Sequence, residues 1–151
     1  MTIQENSLIE QLSPVLTGIG VSIVDLSFAV SKGTRHLILI VHSPEGIGHN
    51  DLVKIHRTVQ ARLEIIEAHS DDISIELSTP GIERTIKNNW EYSIFVGKGI
   101  KVMPDDKNEW IYGMLEHADD KDIHIRTAQG LVTIAIDSIK KAKLDPEHDR
   151  G

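Results

Sequence analysis

The chain has 151 residues and is acidic, with 16 Lys+Arg against 23 Asp+Glu and a formal net charge of −7 with histidine neutral. An apolar share of 40% before glycine is counted sits in the globular range and excludes a disordered chain, and the negative balance excludes a uniformly basic nucleic-acid coat while leaving room for a local basic patch. Cysteine is absent, which removes disulfide scaffolds, thiolate nucleophiles and cysteine metal sites.

The opening residues Met1-Thr2-Ile3-Gln4-Glu5-Asn6 lack the basic and apolar regions of a signal peptide. The longest apolar run, Leu37-Ile38-Leu39-Ile40-Val41, is far shorter than the ~18 residues of a membrane span. The expectation is a cytoplasmic protein with no membrane partner.

Thr2 and Glu5 have the spacing of a capping box, and Leu8, Leu12, Val15, Leu16 and Ile19 follow at helical spacing. Pro14 falls inside that pattern and predicts a kink or break, with Gly18 and Gly20 ending the helix. Val21 and Ile23, then Leu26 and Phe28 one register later, predict a strand, and residues 37–41 a second, joined by the turn Ser31-Lys32-Gly33-Thr34. A helix is predicted over 50–66, capped by Asn50 and with Asp51 at the favourable end of its dipole. Ile73, Ile75 and Leu77 alternate as a third strand. This first unit reads α-β-β-α-β.

The second half carries a short helical piece over 89–95 and five short strands, over 100–103, 110–116, 123–127, 131–136 and 141–144. Turn-rich separators and the lack of a long helix suggest a small β-barrel, and the polar tail from Asp145 is expected to be frayed. The domains are therefore expected at 1–82 and 83–151. Residues 1–82 hold 5 basic and 10 acidic side chains (−5), residues 83–151 hold 11 and 13 (−2). Within 84–101, Arg84, Lys87, Lys98 and Lys101 face the single acid Glu91, a local +3.

Catalytic signatures are missing. The eight histidines include no pair at i, i+4 spacing, and scattered surface histidines explain them better than a metal site, although His117 and His124 fall where neighbouring strands could bring them together. No G-x-S-x-G elbow, Walker loop or dinucleotide fingerprint occurs. We expect no catalytic residue, cofactor or metal.

The densest signal is Leu77-Ser78-Thr79-Pro80-Gly81-Ile82-Glu83-Arg84. Pro80-Gly81 suits the centre of a type II turn, with Gly81 at positive φ. The hydroxyls of Ser78 and Thr79 with the Arg84 guanidinium then form a set able to hold a phosphate. The competing reading closes the turn with the hydroxyls and pairs Arg84 with Glu83 or Glu76. Trp90, Tyr92, Phe95, Trp110 and Tyr112 are five of the six aromatics, with Trp90, Phe95 and Trp110 expected as core and a base-stacking platform as the alternative.

Residues 75–84, together with Gly20-Val21-Ser22-Ile23-Val24-Asp25-Leu26-Ser27-Phe28, the helix from Asp51 to Leu63, residues 90–98, Val102, Gly113-Met114-Leu115 and Ile139-Lys140-Lys141-Ala142, resemble in order the bacterial ribosome maturation factor RimP family. Thr79 stands where that family commonly has a second serine, Thr85 where it usually has proline, and the stretch after Asp51 lacks the family's frequent cysteine.

The resemblance implies an α+β protein: an N-terminal α-β-β-α-β domain and a small Sm-like five-stranded β-barrel. It also implies a cytoplasmic, non-catalytic assembly factor that binds the free small ribosomal subunit. Its partners would be rRNA and a basic ribosomal protein of the decoding region, and we expect it to act as a monomer. Ser78, Thr79, Pro80, Gly81, Arg84, Lys87, Lys98 and Lys101 are the candidate ribosome- and RNA-binding residues. Two other classes compete: a ring-forming Sm-like RNA regulator, and a hydrolase built on Ser78.

Overall fold

The structure, a computed structural model, describes residues 1–149. The chain divides into two compact units, one spanning Met1–Pro80 and one beginning at Gly81.

The first unit has the predicted α-β-β-α-β order. Helix α1 (Ile3–Thr17) starts at the predicted box: the Glu5 amide donates to Thr2 Oγ1 at 3.1 Å and the Thr2 amide to Glu5 Oε1 at 2.8 Å. The helix runs through Pro14 instead of breaking. The proline removes one amide donor, but Leu8, Leu12 and Leu16 are buried on the core and hold both halves in line, and the Gly18 amide still donates to the Pro14 carbonyl at 3.1 Å.

Strands β1 (Ser22–Ser31) and β2 (Thr34–His42) pair antiparallel across a two-residue turn in which Lys32 (φ 52°) and Gly33 (φ 78°) both take positive φ. The register shifts between Ile23 and Asp25, a bulge at Val24 that accounts for the change of phase in the apolar alternation. Helix α2 (His49–Ile66) is capped at Gly48, whose amide donates to Asp51 Oδ2 at 2.8 Å, and not at Asn50. An acid three residues on serves the glycine amide, so the helix starts before the asparagine. Strand β3 (Ile73–Ser78) lies parallel to β2, giving the sheet order β1-β2-β3. Both helices and the sheet share one core that includes Leu12, Leu37, Leu39, Ile55, Val59 and Leu63, each such side chain worth about 1.5–3 kcal/mol on burial.

The second unit carries a short helix α3 (Glu91–Ile94) and strands β4 (Gly99–Pro104), β5 (Ile111–Ala118), β6 (Asp122–Thr127), β7 (Gly130–Ala135) and β8 (Ile139–Leu144). All neighbours are antiparallel in the order β7-β6-β5-β4-β8. Among the described residues no ladder joins the two outer strands, so the expected barrel is observed as a five-stranded sheet. Residues 84–86 run along β8: the Ile86 amide donates to Ala142 O and the Leu144 amide to Arg84 O, both at 2.9 Å. Gly113 is obligatory, because a Cβ there would stand 2.3 Å from the Arg126 carbonyl oxygen on β6.

The tail is not frayed as far as Asp149. The Asp145 amide donates to Gly99 O at 2.8 Å, the Gly99 amide to Asp149 Oδ1 at 2.6 Å, and His148 Nδ1 lies 2.9 Å from Asp145 Oδ2. A side chain at Gly99 would collide with this returning segment, so it is a glycine that anchors a tail whose own residues are polar. The expectation for the last two positions lies outside the described residues.

Candidate functional site

Ser78 ends β3, paired with Ile40, and is exposed, as are Thr79 and Gly81, with Pro80 half-buried. The expected turn is displaced by two residues. Gly81 is not among the positive-φ residues, and the turn bond runs from the Arg84 amide to Gly81 O at 3.1 Å, across Gly81-Ile82-Glu83-Arg84. Proline sets its own φ but places no demand on the next residue. The chain turns where Arg84 is anchored.

That anchor is Glu91. Its carboxylate is fully buried and receives Arg84 Nε at 2.7 Å and Nη2 at 3.0 Å in a bidentate fork. The Lys87 amide (3.1 Å), the Asn88 amide (2.9 Å) and Asn88 Nδ2 (2.9 Å) complete the shell. The fork that the sequence offers to a phosphate is therefore filled by Glu91, and not by Glu83 or Glu76. Just beyond, Tyr92 is buried, and that burial, with the Glu91 charge second, pushes its phenol up to about 12.

The remaining predicted cations sit differently. Lys87 and Lys98 are exposed, while Lys101 is half-buried, its Nζ 4.9 Å from the centre of the Trp110 ring. Lys101 is also flanked in register by Lys143 on β8 and Tyr112 on β5. Sequence reasoning missed Lys143 and Lys141 because the charge window stopped at residue 101; the alternation in Lys141-Ala142-Lys143 was the signal that both share a face. Phe95 is core as expected and so is Tyr92, but Trp90 and Tyr112 are 39% and 45% exposed. His117 and His124 are cross-strand partners with ring centres 5.4 Å apart. Among the described residues no three His, Asp or Glu side chains are grouped to hold a metal ion, and no helix is long and apolar enough to cross a membrane.

Comparison with known proteins matches residues 11–83 to the RimP N-terminal domain. The chain is also 29% identical over 143 residues to the ribosome maturation factor RimP of Borrelia hermsii (strain HS1 / DAH), an alignment covering 94% of this chain and 97% of that protein. The chain is similar to RimP proteins along nearly its whole length. The RimP proteins of Borrelia recurrentis (strain A1), 29% identical over 94% of this chain and 97% of theirs, and Borrelia turicatae (strain 91E135), 26% over 94% and 96%, match alike. An alignment of 143 residues within 151 necessarily runs through both units. The alignment thus spans the positions of Arg84 and Glu91 and the sheet beyond them, while the family's N-terminal model stops at residue 83.

Proposed function

We propose that the chain is a non-catalytic ribosome assembly factor of the cytoplasm that binds the free small ribosomal subunit and assists its maturation. The observation that carries this reading is the similarity to ribosome maturation factors along 94% of the chain, through both units. It acts as a monomer, without cofactor, through contacts to rRNA and to a basic ribosomal protein of the decoding region.

The division of labour follows charge, between domains at 1–82 and 83–151. Residues 1–82 carry −5 and complement a basic protein, which speeds encounter. Residues 83–151 form the Sm-like domain, a reading supported by five antiparallel strands whose last, β8, returns to pair with the first, β4. Ser78, Thr79, Pro80, Gly81, Lys87, Lys98 and Lys101 supply the rRNA contact. Arg84 serves it as a positioning residue, since its fork is held by Glu91.

The test is gradient sedimentation of cell extract. The protein should travel with free small subunits and leave assembled ribosomes. Sedimentation at the top of the gradient under low salt, or turnover of a small-molecule substrate dependent on Ser78, overturns the reading.

A further inference from the structure

Strand register places Lys143 of β8, Lys101 of β4 and Tyr112 of β5 in one row. Alternation puts Lys141 and Met103 on the same side, with Trp110 two residues before Tyr112 and its ring beneath Lys101. Ile100, Val102, Ala142 and Leu144, which point the other way, are buried, so the row lies on the outer face of the sheet. Like charges directly opposite on paired strands are destabilising, and Lys101 and Lys143 are such a pair. No carboxylate relieves it among the described residues: Lys101, Lys141 and Lys143 make no ion pair or side-chain hydrogen bond there, and neither β4 nor β8 contains an acid.

We propose that this outer face of β8, β4 and β5 is a binding surface for a single-stranded RNA segment. Backbone phosphates bridge Lys101, Lys141 and Lys143, relieving their repulsion, and an unpaired base stacks on Tyr112. Tyr112 is 45% exposed, and its ring centre lies 5.7 Å from that of His148. Lysines alone would suit any polyanion. The aromatic rings among them favour RNA over an acidic polypeptide, and a base free to stack requires an unpaired strand. That the RNA is ribosomal rests on the assembly-factor reading; the surface itself does not.

The experiment is fluorescence anisotropy of the full chain with a labelled single-stranded RNA oligonucleotide, a duplex of the same sequence and polyglutamate, across a salt series. The triple variant Lys101→Gln/Lys141→Gln/Lys143→Gln should bind the single strand at least about tenfold more weakly near 0.1 M salt, with the log–log salt slope reduced by about 2. Tyr112→Leu should weaken single-strand binding about fivefold or more at unchanged slope and erase the preference over duplex. Lys54→Gln/Lys107→Gln/Lys121→Gln, at three exposed lysines, is the control for net charge. Thermal melting separates folding from binding, because neutralising a repelling pair should leave the melting temperature equal or higher. An unchanged slope in the triple variant, an equal loss in the control, or polyglutamate binding as tightly as RNA overturns the proposal. Wild-type protein that sediments with small subunits while the triple variant keeps its RNA affinity sinks this surface and spares the function; RNA binding through these lysines without subunit association does the reverse.

Discussion

Two buried carboxylates organise the two units in opposite ways. Glu5, 9% exposed, accepts only neutral donors: the Thr2 amide that closes the helix box and, through Oε2, the Phe28 amide of β1 at 2.8 Å. Glu91, with no exposure at all, faces a guanidinium as well as amides. Glu5 is a local device that stitches a helix start to a strand and needs no partner charge. Glu91 is half of an ion pair whose two members are each intolerable in the interior alone. One unit is thus pinned by backbone geometry and the other by charge compensation.

The sharpest way to break that contrast is to remove Glu91. Glu91→Ala takes the buried carboxylate from the Arg84 fork and should cost about 3–5 kcal/mol in denaturant unfolding. The double variant Arg84→Met/Glu91→Leu should recover a large part of that loss, because an apolar pair of similar volume has no charge to strand. If the double variant is as unstable as Glu91→Ala, the electrostatic account of the pair fails and the amides around Glu91 carry its stabilisation instead.

The same contrast explains what was legible in the sequence. The Thr2–Glu5 box, the bulge announced by a change of phase after Ile23 and the Lys32-Gly33 turn depend on residues within a few positions of each other, and all were readable. The pairing of Arg84 with Glu91 was not, because Glu83 and Glu76 offered equally near acids and only the course of the loop around Asn88 decides among them. The predicted fray of the tail failed for a related reason. Polar residues after Asp145 gave no apolar signal, and the force that docks them is a set of backbone bonds to Gly99, a residue remote in sequence. The lysine row on the outer face was likewise hidden until strand register joined positions 101 and 143.

Smaller effects appear at the two ends of the pH scale, one per unit. The Glu5 carboxyl is held below its ordinary value of 4.5, first by the Thr2 amide and then by the Phe28 amide. A depressed folded-state value contributes stability that is present above the ordinary value and lost as pH falls through the lowered one. Glu5→Gln should therefore cost about 1–2 kcal/mol near neutrality, and the gap from wild type should close below about pH 4. Tyr92 works from the other side. Its phenol is raised from 10.0 to about 12, so its contribution is complete below 10 and fades as pH climbs from 10 to about 12. Absorbance titration of Tyr92 in a Tyr112→Phe background should show ionisation near the raised value, and Glu91→Gln should lower it only in part, because burial is the larger cause. A Glu5→Gln deficit that persists unchanged into acid would show that its amide bonds were not the source of the stabilisation.

The smallest effect isolates burial as the variable. Arg126 and Glu116 form the same kind of fork as Arg84 and Glu91, with Nε donating to Oε2 at 3.1 Å and Nη2 to Oε1 at 3.2 Å, but with side chains 52% and 35% exposed. Water already solvates both ions there, and holding two long side chains in one geometry costs rotamer entropy that offsets most of the attraction. A double-mutant cycle with Arg126→Ala and Glu116→Ala should return a coupling of about 0.5 kcal/mol or less, shrinking further in 1 M salt. The same cycle on Arg84 and Glu91 should give a coupling several times larger and nearly independent of salt, because screening ions do not reach a buried pair. Equal couplings from the two cycles would mean that geometry alone sets the strength of these forks, and the distinction drawn between the surface pair and the interior pair would fall.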